Sequence, residues 1–219
     1  MFKDRKQAGK LLAKKLTRYK NKEDVIVFGI TRGGVVVAKE ISNLLKLSLD
    51  VIVIKKIGAP QNPELAIGAI GPGGVVFWDE GLINRLNLDG EFKNHSKKVK
   101  GLERRDLEKY LRKRSFGKLR TSKPLNPKNK KIILVDDGVA TGATVIAAVK
   151  YFRQKKSKEV ILAVPVIAKD TFLNIKRYFD TVIALRIESD LHAIGQFYRE
   201  FHQVENKEVM DLINGKSRK

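Results

Sequence analysis

Two adjacent acids followed by a loop of glycines and threonines form the part of this chain with the clearest chemistry. Asp136 and Asp137 follow the apolar run 132–135, which predicts a buried strand. The loop after them consists of Gly138, Val139, Ala140, Thr141, Gly142, Ala143 and Thr144. Glycines let backbone N–H groups approach a ligand, helix N-termini favour anions, and threonine hydroxyls donate hydrogen bonds. The pattern therefore predicts a site for one phosphate group.

The acid pair restricts which phosphate ligand can bind. Two carboxylates beside a phosphate repel it unless they have another partner, and two partners fit: a vicinal diol and a divalent cation. A ribose 5-phosphate carries both a diol and a phosphate. The loop is not a Walker A loop, because no lysine follows its second glycine. In a competing interpretation Asp137 only caps a helix, which accounts for that acid but not for the whole string.

Residues 135–144 resemble the phosphoribosyl-pyrophosphate signature of type I phosphoribosyltransferases, with its hydrophobic strand, acid pair and Ala-Thr-Gly-Ala-Thr tail. The resemblance implies that Asp136 and Asp137 contact the ribose hydroxyls, partly through Mg²⁺, and that loop 138–144 holds the 5-phosphate. It also implies phosphoribosyl pyrophosphate as the donor, a nitrogenous base or amine as the acceptor, and a homodimer.

A second candidate anion site follows the apolar run 25–30. Its residues are Thr31, Arg32, Gly33 and Gly34, at the expected start of a helix. Alone, this string is a weak signal and favours a plain strand–helix turn. By resemblance it matches the pyrophosphate loop of the same family, which often holds a cis peptide bond without proline.

A third motif begins at Lys55 and Lys56, after the second predicted strand. In the family, the loop that closes over the site begins near here, so either lysine could neutralise the leaving pyrophosphate. We expect this lid over 58–74. Glu64 lies within it and is a candidate proton acceptor or donor, or simply an exposed loop acid.

One position departs from part of the family. Members that act on 6-oxopurines carry an acid in the phosphate loop where this chain has Ala140. A group elsewhere must then move any proton, and hypoxanthine and guanine become less favoured acceptors.

The likeness extends to both ends of the chain. The stretch from Phe2-Lys3-Asp4-Arg5 through 68–69 is similar to a group of phosphoribosyltransferases whose acceptor is not settled. The similarity resumes at residues 195–201. Phe197 and Tyr198 either stack on a base or pack in the core. The three histidines show no metal-ligand spacing and are expected to be structural or exposed.

The site residues need a scaffold, and hydrophobic periodicity predicts one. Helices are expected over 4–19, 35–46, 143–155, 170–178 and 205–213. Buried strands are expected over 25–30, 49–54, 131–135, 159–166 and 181–187, and a hairpin joins 66–70 to 75–78. Alternating strands and helices predict an α/β fold with a parallel sheet of about five strands and helices on both faces. Both glycine-rich turns would then meet at the carboxyl edge of that sheet.

The domain organisation follows from these elements and from charge. We expect one domain over 1–219, with a core over about 1–78 and 131–190 and a C-terminal hood over about 188–219. The segment of about 79–130 is predicted to be a helical basic insertion, highly charged over 79–114 and a connector over 115–130.

Composition limits the remaining function classes. The formal net charge is +21, and most of the excess lies in 1–22 and 91–131. This field would attract polyanions, nucleic acid included, although solvated helix faces in a lysine-rich protein are an equally good explanation. There is no cysteine, and residues 1–10 form no hydrophobic signal region, so a cytoplasmic location is expected.

Two further functional hypotheses stay open. The first is a ligand-sensing regulator that keeps this fold and binds RNA or DNA through its positive surface. The second is a phosphoacceptor domain with the acid pair as its phosphorylation site. The late position of the acids and the phosphate-binding loop after them argue against the second.

Overall fold

The computed structural model describes residues 1–60, 62, 65–88 and 124–213. Its strands are β1 (Val25–Ile30), β2 (Ser48–Ile52), β3 (Lys55–Gly58), β4 (Ala66–Ile70), β5 (Val76–Trp78), β6 (Lys131–Val135), β7 (Glu159–Ala168) and β8 (Thr181–Glu188). Its α-helices are α1 (Arg5–Lys15), α2 (Gly33–Leu45), α3 (Glu80–Arg85), α4 (Ala143–Gln154), α5 (Lys169–Ile175) and α6 (Asn206–Ile213).

Five strands form the main sheet in the spatial order β2-β1-β6-β7-β8, and every neighbouring pair is parallel. All six residues of β1 are buried, as expected for a strand covered on both faces. The predicted parallel sheet of about five strands is therefore confirmed.

Alternate side chains of each central strand pack into different helical layers. In β1, Val25 and Val27 pack with Leu12 of α1 and Ile41 of α2. Ile26 and Phe28 pack on the opposite face, in the cluster that includes α4. The Phe28 ring lies 4.8 Å from that of Phe152, centroid to centroid. Because successive side chains of a strand point to opposite faces of the sheet, each apolar run contributes to two cores.

Helix α1 begins where the sequence provides a cap. The Asp4 carboxylate accepts a hydrogen bond from the Gln7 N–H at 2.7 Å, which satisfies one of the free donors at the helix start. Arg5 is consequently the first helical residue. It lies on the same face as Ala8, Gly9 and Leu12, all of which are buried.

A second sheet follows the main one, with β3, β4 and β5 in antiparallel order. The predicted hairpin between 66–70 and 75–78 is confirmed as β4 and β5. Within the lid expected over 58–74, β4 is buried along its whole length between two partners. Closure by β4 itself would break hydrogen bonds on both of its sides.

Most predicted elements agree with the structure to within a few residues. The second strand ends at Ile52 rather than 54, because Lys55 already belongs to β3. Of the predicted insertion, only its ends are described: α3 is helical, and 124–130 holds no helix or strand. The basic residues at 89–123 lie outside the described residues. Among the described helices, none has the length and apolarity needed to cross a lipid bilayer.

Candidate active site

Two loops meet at the carboxyl edge of the main sheet and enclose a cavity of about 360 Å³. One loop joins β1 to α2, and the other joins β6 to α4. The cavity is lined by Ile30, Thr31, Arg32, Gly33, Ile54, Lys56, residues 136–142, Thr144 and Ile194. The parallel register of β1 with β6 places Gly29 opposite Val135. The two strands therefore end together, and their loops must meet.

The two acids of the pair have different surroundings. Asp137 Oδ2 accepts a hydrogen bond from Arg5 Nε at 2.7 Å, in an ion pair whose side chains are 16% and 7% exposed, respectively. Asp136 Oδ1 accepts from the Asp137 backbone N–H at 2.9 Å. Both acids line the cavity. The cavity therefore remains accessible to both acids, although Asp137 is paired with Arg5.

Burial raises the pKa of Asp136 well above its usual value, and the neighbouring charge of Asp137 raises it further. The hydrogen bond from the Asp137 N–H and the positive charge of Lys56 act in the opposite direction. A ligand that supplies a cation or hydroxyl donors would stabilise the ionised form of such a carboxylate. Asp136 is therefore the acid of the pair that most needs an external partner.

Glycine is required where α2 approaches the acids. A Cβ on Gly33 would lie 1.9 Å from Asp137 Oδ2, and one on Gly34 would lie 2.6 Å from the Val135 carbonyl oxygen. No side chain fits in either space. The start of α2 consequently lies directly against the end of β6, and this contact brings the second anion motif to the acid pair.

The phosphate loop is held by backbone hydrogen bonds to the end of β7. The Val139 N–H donates to the Val166 carbonyl at 2.9 Å, and the Ala168 N–H donates to the Val139 carbonyl at 3.0 Å. The Thr171 hydroxyl donates to the Ala140 carbonyl. The loop is therefore shaped before any ligand binds, which lowers the entropic cost of binding.

The loop also presents its donors to the cavity. Gly142 has φ +82° and precedes α4, a conformation that glycine adopts without steric cost. The first N–H groups of α4 have no acceptor within the helix and favour an anion. Thr141 and Thr144 line the same space. Loop 138–144 thus has the donor set that the sequence predicted for a phosphate.

The remaining predicted site residues divide into three groups. Arg32 and Lys56 line the cavity, and the Thr31–Arg32 peptide bond is cis, as the resemblance implied for this loop. Gly34 and Ala143 are buried at the starts of their helices, while Lys55 is an exposed residue of β3. These three are not part of the cavity lining. Glu64 lies outside the described residues.

Two contributors were missed by sequence reasoning. Arg5 contacts Asp137, and Ile194 covers Gly138, where an added Cβ would lie 2.5 Å from Ile194 Cγ2. A signal for Arg5 was available, because a cation on the apolar stripe of an amphipathic helix needs a buried partner. Ile194 offers no such signal, since its place depends on how the chain returns after β8.

The aromatic residues and histidines have the structural roles that were considered for them. Phe197 and Tyr198 are buried and pack with Phe2 rather than facing the cavity. His192 is 84% exposed and pairs with Asp190, and His202 is exposed as well. His95 lies outside the described residues.

The acid pair fits Mg²⁺ only as part of a larger ligand set. Among the described residues, no group of three or more acids or histidines could hold a metal by itself. Mg²⁺ commonly uses one or two carboxylates and completes its shell with substrate phosphates and water. Asp136, with Asp137 beside it, can supply that protein share.

The comparison with known families agrees with this geometry. The sequence profile of the phosphoribosyl transferase domain matches residues 2–201. The chain belongs to the phosphoribosyl transferase domain family. The match includes both cavity loops. It also includes Arg5, which contacts Asp137, and residues 197–201. The family resemblance expected from residues 135–144 is thereby confirmed.

Individual relatives align with almost the whole of this chain. A Mycobacterium tuberculosis protein, provisionally named a phosphoribosyl transferase, is 37% identical over 215 residues, which are 98% of this chain and 46% of that protein. The chain therefore spans about half the length of the curated relatives it matches. The crystal structure of the Thermus thermophilus protein TT1426 is similar with a TM-score of 0.75 and 33% identity, and each chain is covered completely.

A more distant structure shows the fold alone. The AQ2163 protein of Aquifex aeolicus superposes with a TM-score of 0.54 at 12% identity, over 95% of this chain and 84% of that one. The family fold is thus recognisable where little sequence identity remains.

Proposed function

We propose that this chain binds phosphoribosyl pyrophosphate and transfers its 5-phosphoribosyl group to a nitrogenous base or amine, with release of pyrophosphate. One observation carries the proposal. The acid pair and residues 138–142 and 144 line the same cavity, together with Arg32 and Gly33. A ligand with hydroxyls between two phosphate groups matches that arrangement of acceptors and donors.

Each part of the donor has a proposed position. The 5-phosphate lies against the N–H groups and threonine hydroxyls of loop 138–144, at the start of α4. The ribose hydroxyls donate to Asp136 and Asp137. The pyrophosphate lies towards the turn at Arg32 and towards Lys56, whose charges can neutralise it. Lys55 belongs to the same strand as Lys56 and adds positive charge at a greater distance from the cavity lining.

The reaction needs no protein nucleophile. The C1–O bond to pyrophosphate breaks with its electron pair leaving on oxygen, and a nitrogen of the acceptor forms the new bond to C1. Positive charge develops on the ribose beside the Asp136 carboxylate, and negative charge develops on pyrophosphate beside Arg32 and Lys56. Mg²⁺ held by Asp136 and Asp137 would supply further charge neutralisation on the pyrophosphate. The protein contributes position and a preformed electrostatic field.

The acceptor must lose a proton if its attacking nitrogen carries one. Ala140 offers no acid or base, so we infer that the proton leaves to Glu64 or to water. This absence favours acceptors other than 6-oxopurines. We also infer a homodimer, as the family resemblance implies, and a cytoplasmic location, as expected from the sequence. The proposed division into core, basic insertion and hood stays a prediction.

A panel of acceptors tests the proposed function. The wild-type protein, phosphoribosyl pyrophosphate and Mg²⁺ are incubated with purine bases, pyrimidine bases, orotate and amines, and pyrophosphate release is measured. We expect acceptor-dependent release with at least one compound and its loss in Asp136→Asn. Release that is equally fast in Asp136→Asn would reject the proposed site.

A second candidate function is supported by a separate surface. At the amino edge of the main sheet, Arg18, Lys22 and Lys131 line a cavity of about 520 Å³, together with the acids Asp24 and Glu159. Lys130 and Lys158 lie on the adjoining turns, where the Lys158 N–H donates to the Lys130 carbonyl at 2.8 Å. Clustered cations of this kind attract polyanions. The alternative is therefore a regulator that binds RNA or DNA through this edge.

Salt dependence distinguishes the two functions. Binding of a labelled RNA or DNA oligomer would weaken steeply with salt if several phosphates are neutralised. Steep salt dependence together with no turnover on any acceptor would favour the regulator. Turnover with weak, salt-insensitive nucleic-acid binding would favour the transferase.

A further inference from the structure

We propose that Arg5 is a positioning residue that fixes the Asp137 carboxylate at the donor site and thereby assigns the two neighbouring acids different tasks. In this arrangement Asp137 is a fixed acceptor for a ribose hydroxyl, and Asp136 is the acid that recruits an external cation. The inference deepens the proposed function and rests on it for its ligand. Its structural part can be tested without any ligand.

Arg5 makes three contacts that fix its guanidinium group. Its Nε donates to Asp137 Oδ2 at 2.7 Å, and its Nη1 donates to the His202 carbonyl at 2.8 Å. The guanidinium carbon lies 3.8 Å from the centroid of the Phe201 ring. The residue is only 6% exposed. A planar fork held at three points can hold a carboxylate in one orientation.

Two segments that are far apart in the sequence build the support for Arg5. The Phe2 N–H donates to the Phe197 carbonyl at 2.7 Å, and the Arg199 N–H donates back to the Phe2 carbonyl at 2.9 Å. The Glu200 N–H donates to the Lys3 carbonyl at 2.9 Å. Segment 2–5 and segment 197–202 are therefore joined directly behind the acid pair.

Asp137 is held by its backbone as well as by its side chain. The Tyr198 hydroxyl donates to the Asp137 carbonyl oxygen at 2.6 Å. The start of α2 is also close to this carboxylate, because a Cβ on Gly33 would lie 1.9 Å from Asp137 Oδ2 and 2.9 Å from Arg5 Nε. The Asp137 carboxylate thus lies against both Arg5 and α2. Asp136 lines the same cavity as Asp137, together with Lys56, and its Oδ1 accepts from the Asp137 backbone N–H.

Removal of Arg5 would leave the Asp137 carboxylate without its ion-pair partner. A partly buried carboxylate without its partner turns towards solvent or towards another cation, and the solvent-filled space nearest to Asp137 is the cavity. The carboxylate would then compete with the donor for that space. Lysine would restore the charge but not the fork, so Arg5→Lys should retain only part of the function.

A double-mutant cycle tests whether Arg5 acts through Asp137. Binding of phosphoribosyl pyrophosphate with Mg²⁺ is measured by calorimetry for wild type, Arg5→Met, Arg5→Lys, Asp137→Asn and Arg5→Met/Asp137→Asn. We expect Arg5→Met to weaken binding about 10- to 100-fold, as is typical when a group that orients a ligating side chain is lost. Arg5→Lys should lie between Arg5→Met and wild type. The double variant should bind no more weakly than Asp137→Asn.

Arg18→Met is the matched control, because Arg18 is an exposed arginine whose guanidinium lies over the Tyr19 ring at the other edge of the sheet. It should bind the donor like wild type. A purely structural role for Arg5 would instead lower the melting temperature and give losses that add to those of Asp137→Asn. Additive losses would overturn the proposal.

A crystal structure of unliganded Arg5→Met decides the positioning role independently. We expect the Asp137 carboxylate to leave the position it holds beside Gly33, with the backbone of β6 unchanged. A carboxylate that keeps its position without Arg5 would overturn the inference even if donor binding fell. If wild type bound no donor, the proposed function would fail, and the crystal structure would still decide the role of Arg5.

Discussion

The two edges of the main sheet carry charge in different ways. At the carboxyl edge, Asp136 faces the cavity, and burial and the charge of Asp137 raise its pKa. At the amino edge, Lys131 Nζ lies 3.7 Å from Glu159 Oε2, so these two charges compensate each other, and Arg18 Nη2 donates to the neutral Tyr19 hydroxyl at 2.6 Å. The larger of the two cavities is at the amino edge.

The difference shows that cavity size does not identify the site. The amino-edge cavity is bounded by strand starts and by side chains that include the Lys131–Glu159 and Arg18–Tyr19 pairs. The carboxyl-edge cavity is bounded by helix starts, glycines and an acid with an unfavourable environment, all of which a ligand could improve. Variants that exchange or remove these features at one edge, with matched variants at the other, test the comparison.

The largest effect is expected from removing the acid pair. Asp136→Asn/Asp137→Asn should lower the rate of pyrophosphate release by about 10²- to 10³-fold, because charge stabilisation at the ribose is lost. The matched amino-edge variant is Asp24→Asn/Glu159→Gln, which should retain the wild-type rate. Equal losses in both variants would remove the distinction between the edges.

Close packing at α2 should give the next largest effect. Gly33→Ala introduces a Cβ that would lie 1.9 Å from Asp137 Oδ2, so we expect a loss of about 1–3 kcal/mol in the free energy of unfolding. Gly81→Ala in α3 is the control, because its added Cβ has no neighbour closer than 3.6 Å. That variant should gain about 0.5–1 kcal/mol from helix propensity. Denaturant unfolding measures both, and a neutral Gly33→Ala would show that the contact is not rigid.

Loss of one hydroxyl that donates a hydrogen bond to the phosphate should have a smaller effect. Thr144→Val keeps the side-chain shape and removes one hydroxyl from the cavity, so donor affinity should fall about 10-fold. Thr181→Val makes the same change at the amino-edge cavity and should leave donor affinity unaltered. Titration calorimetry compares the two, and an unchanged affinity for Thr144→Val would place the phosphate elsewhere.

The smallest effect concerns the stability of the free protein. The pKa of Asp136 is higher in the folded protein than in the unfolded chain, so its charged form destabilises the fold above that raised pKa. The penalty disappears as the pH falls through the folded-state pKa towards the unfolded value. Asp136→Asn should therefore raise the free energy of unfolding of the free protein at pH 8, with a smaller gain in acid. A variant less stable than wild type at pH 8 would contradict this assignment.

The parts that could be predicted from sequence are those determined by neighbouring residues. Strand β1 agrees with its prediction because a short apolar run buried on both faces has few alternatives. Loop 138–144 was predictable because acids, glycines and threonines lie together in one string. The parallel sheet then determined which edge the loop would occupy.

The parts that could not be predicted depend on distant contacts. Arg5 and Asp137 are 132 positions apart and meet only because α1 packs across the sheet. The lid expected over 58–74 includes β4, whose pairing on both sides depends on β3 and β5. The role of Ile194 depends on the path of the chain after β8.

Titration calorimetry with phosphoribosyl pyrophosphate and Mg²⁺ tests the central claim most directly, namely that the acid pair and loop 138–144 together hold one phosphorylated sugar. We predict saturable binding at one site per chain for wild type and for Asp24→Asn, and strongly weakened binding for Asp136→Asn. No heat with wild type, or equal affinity in wild type and Asp136→Asn, would contradict the account.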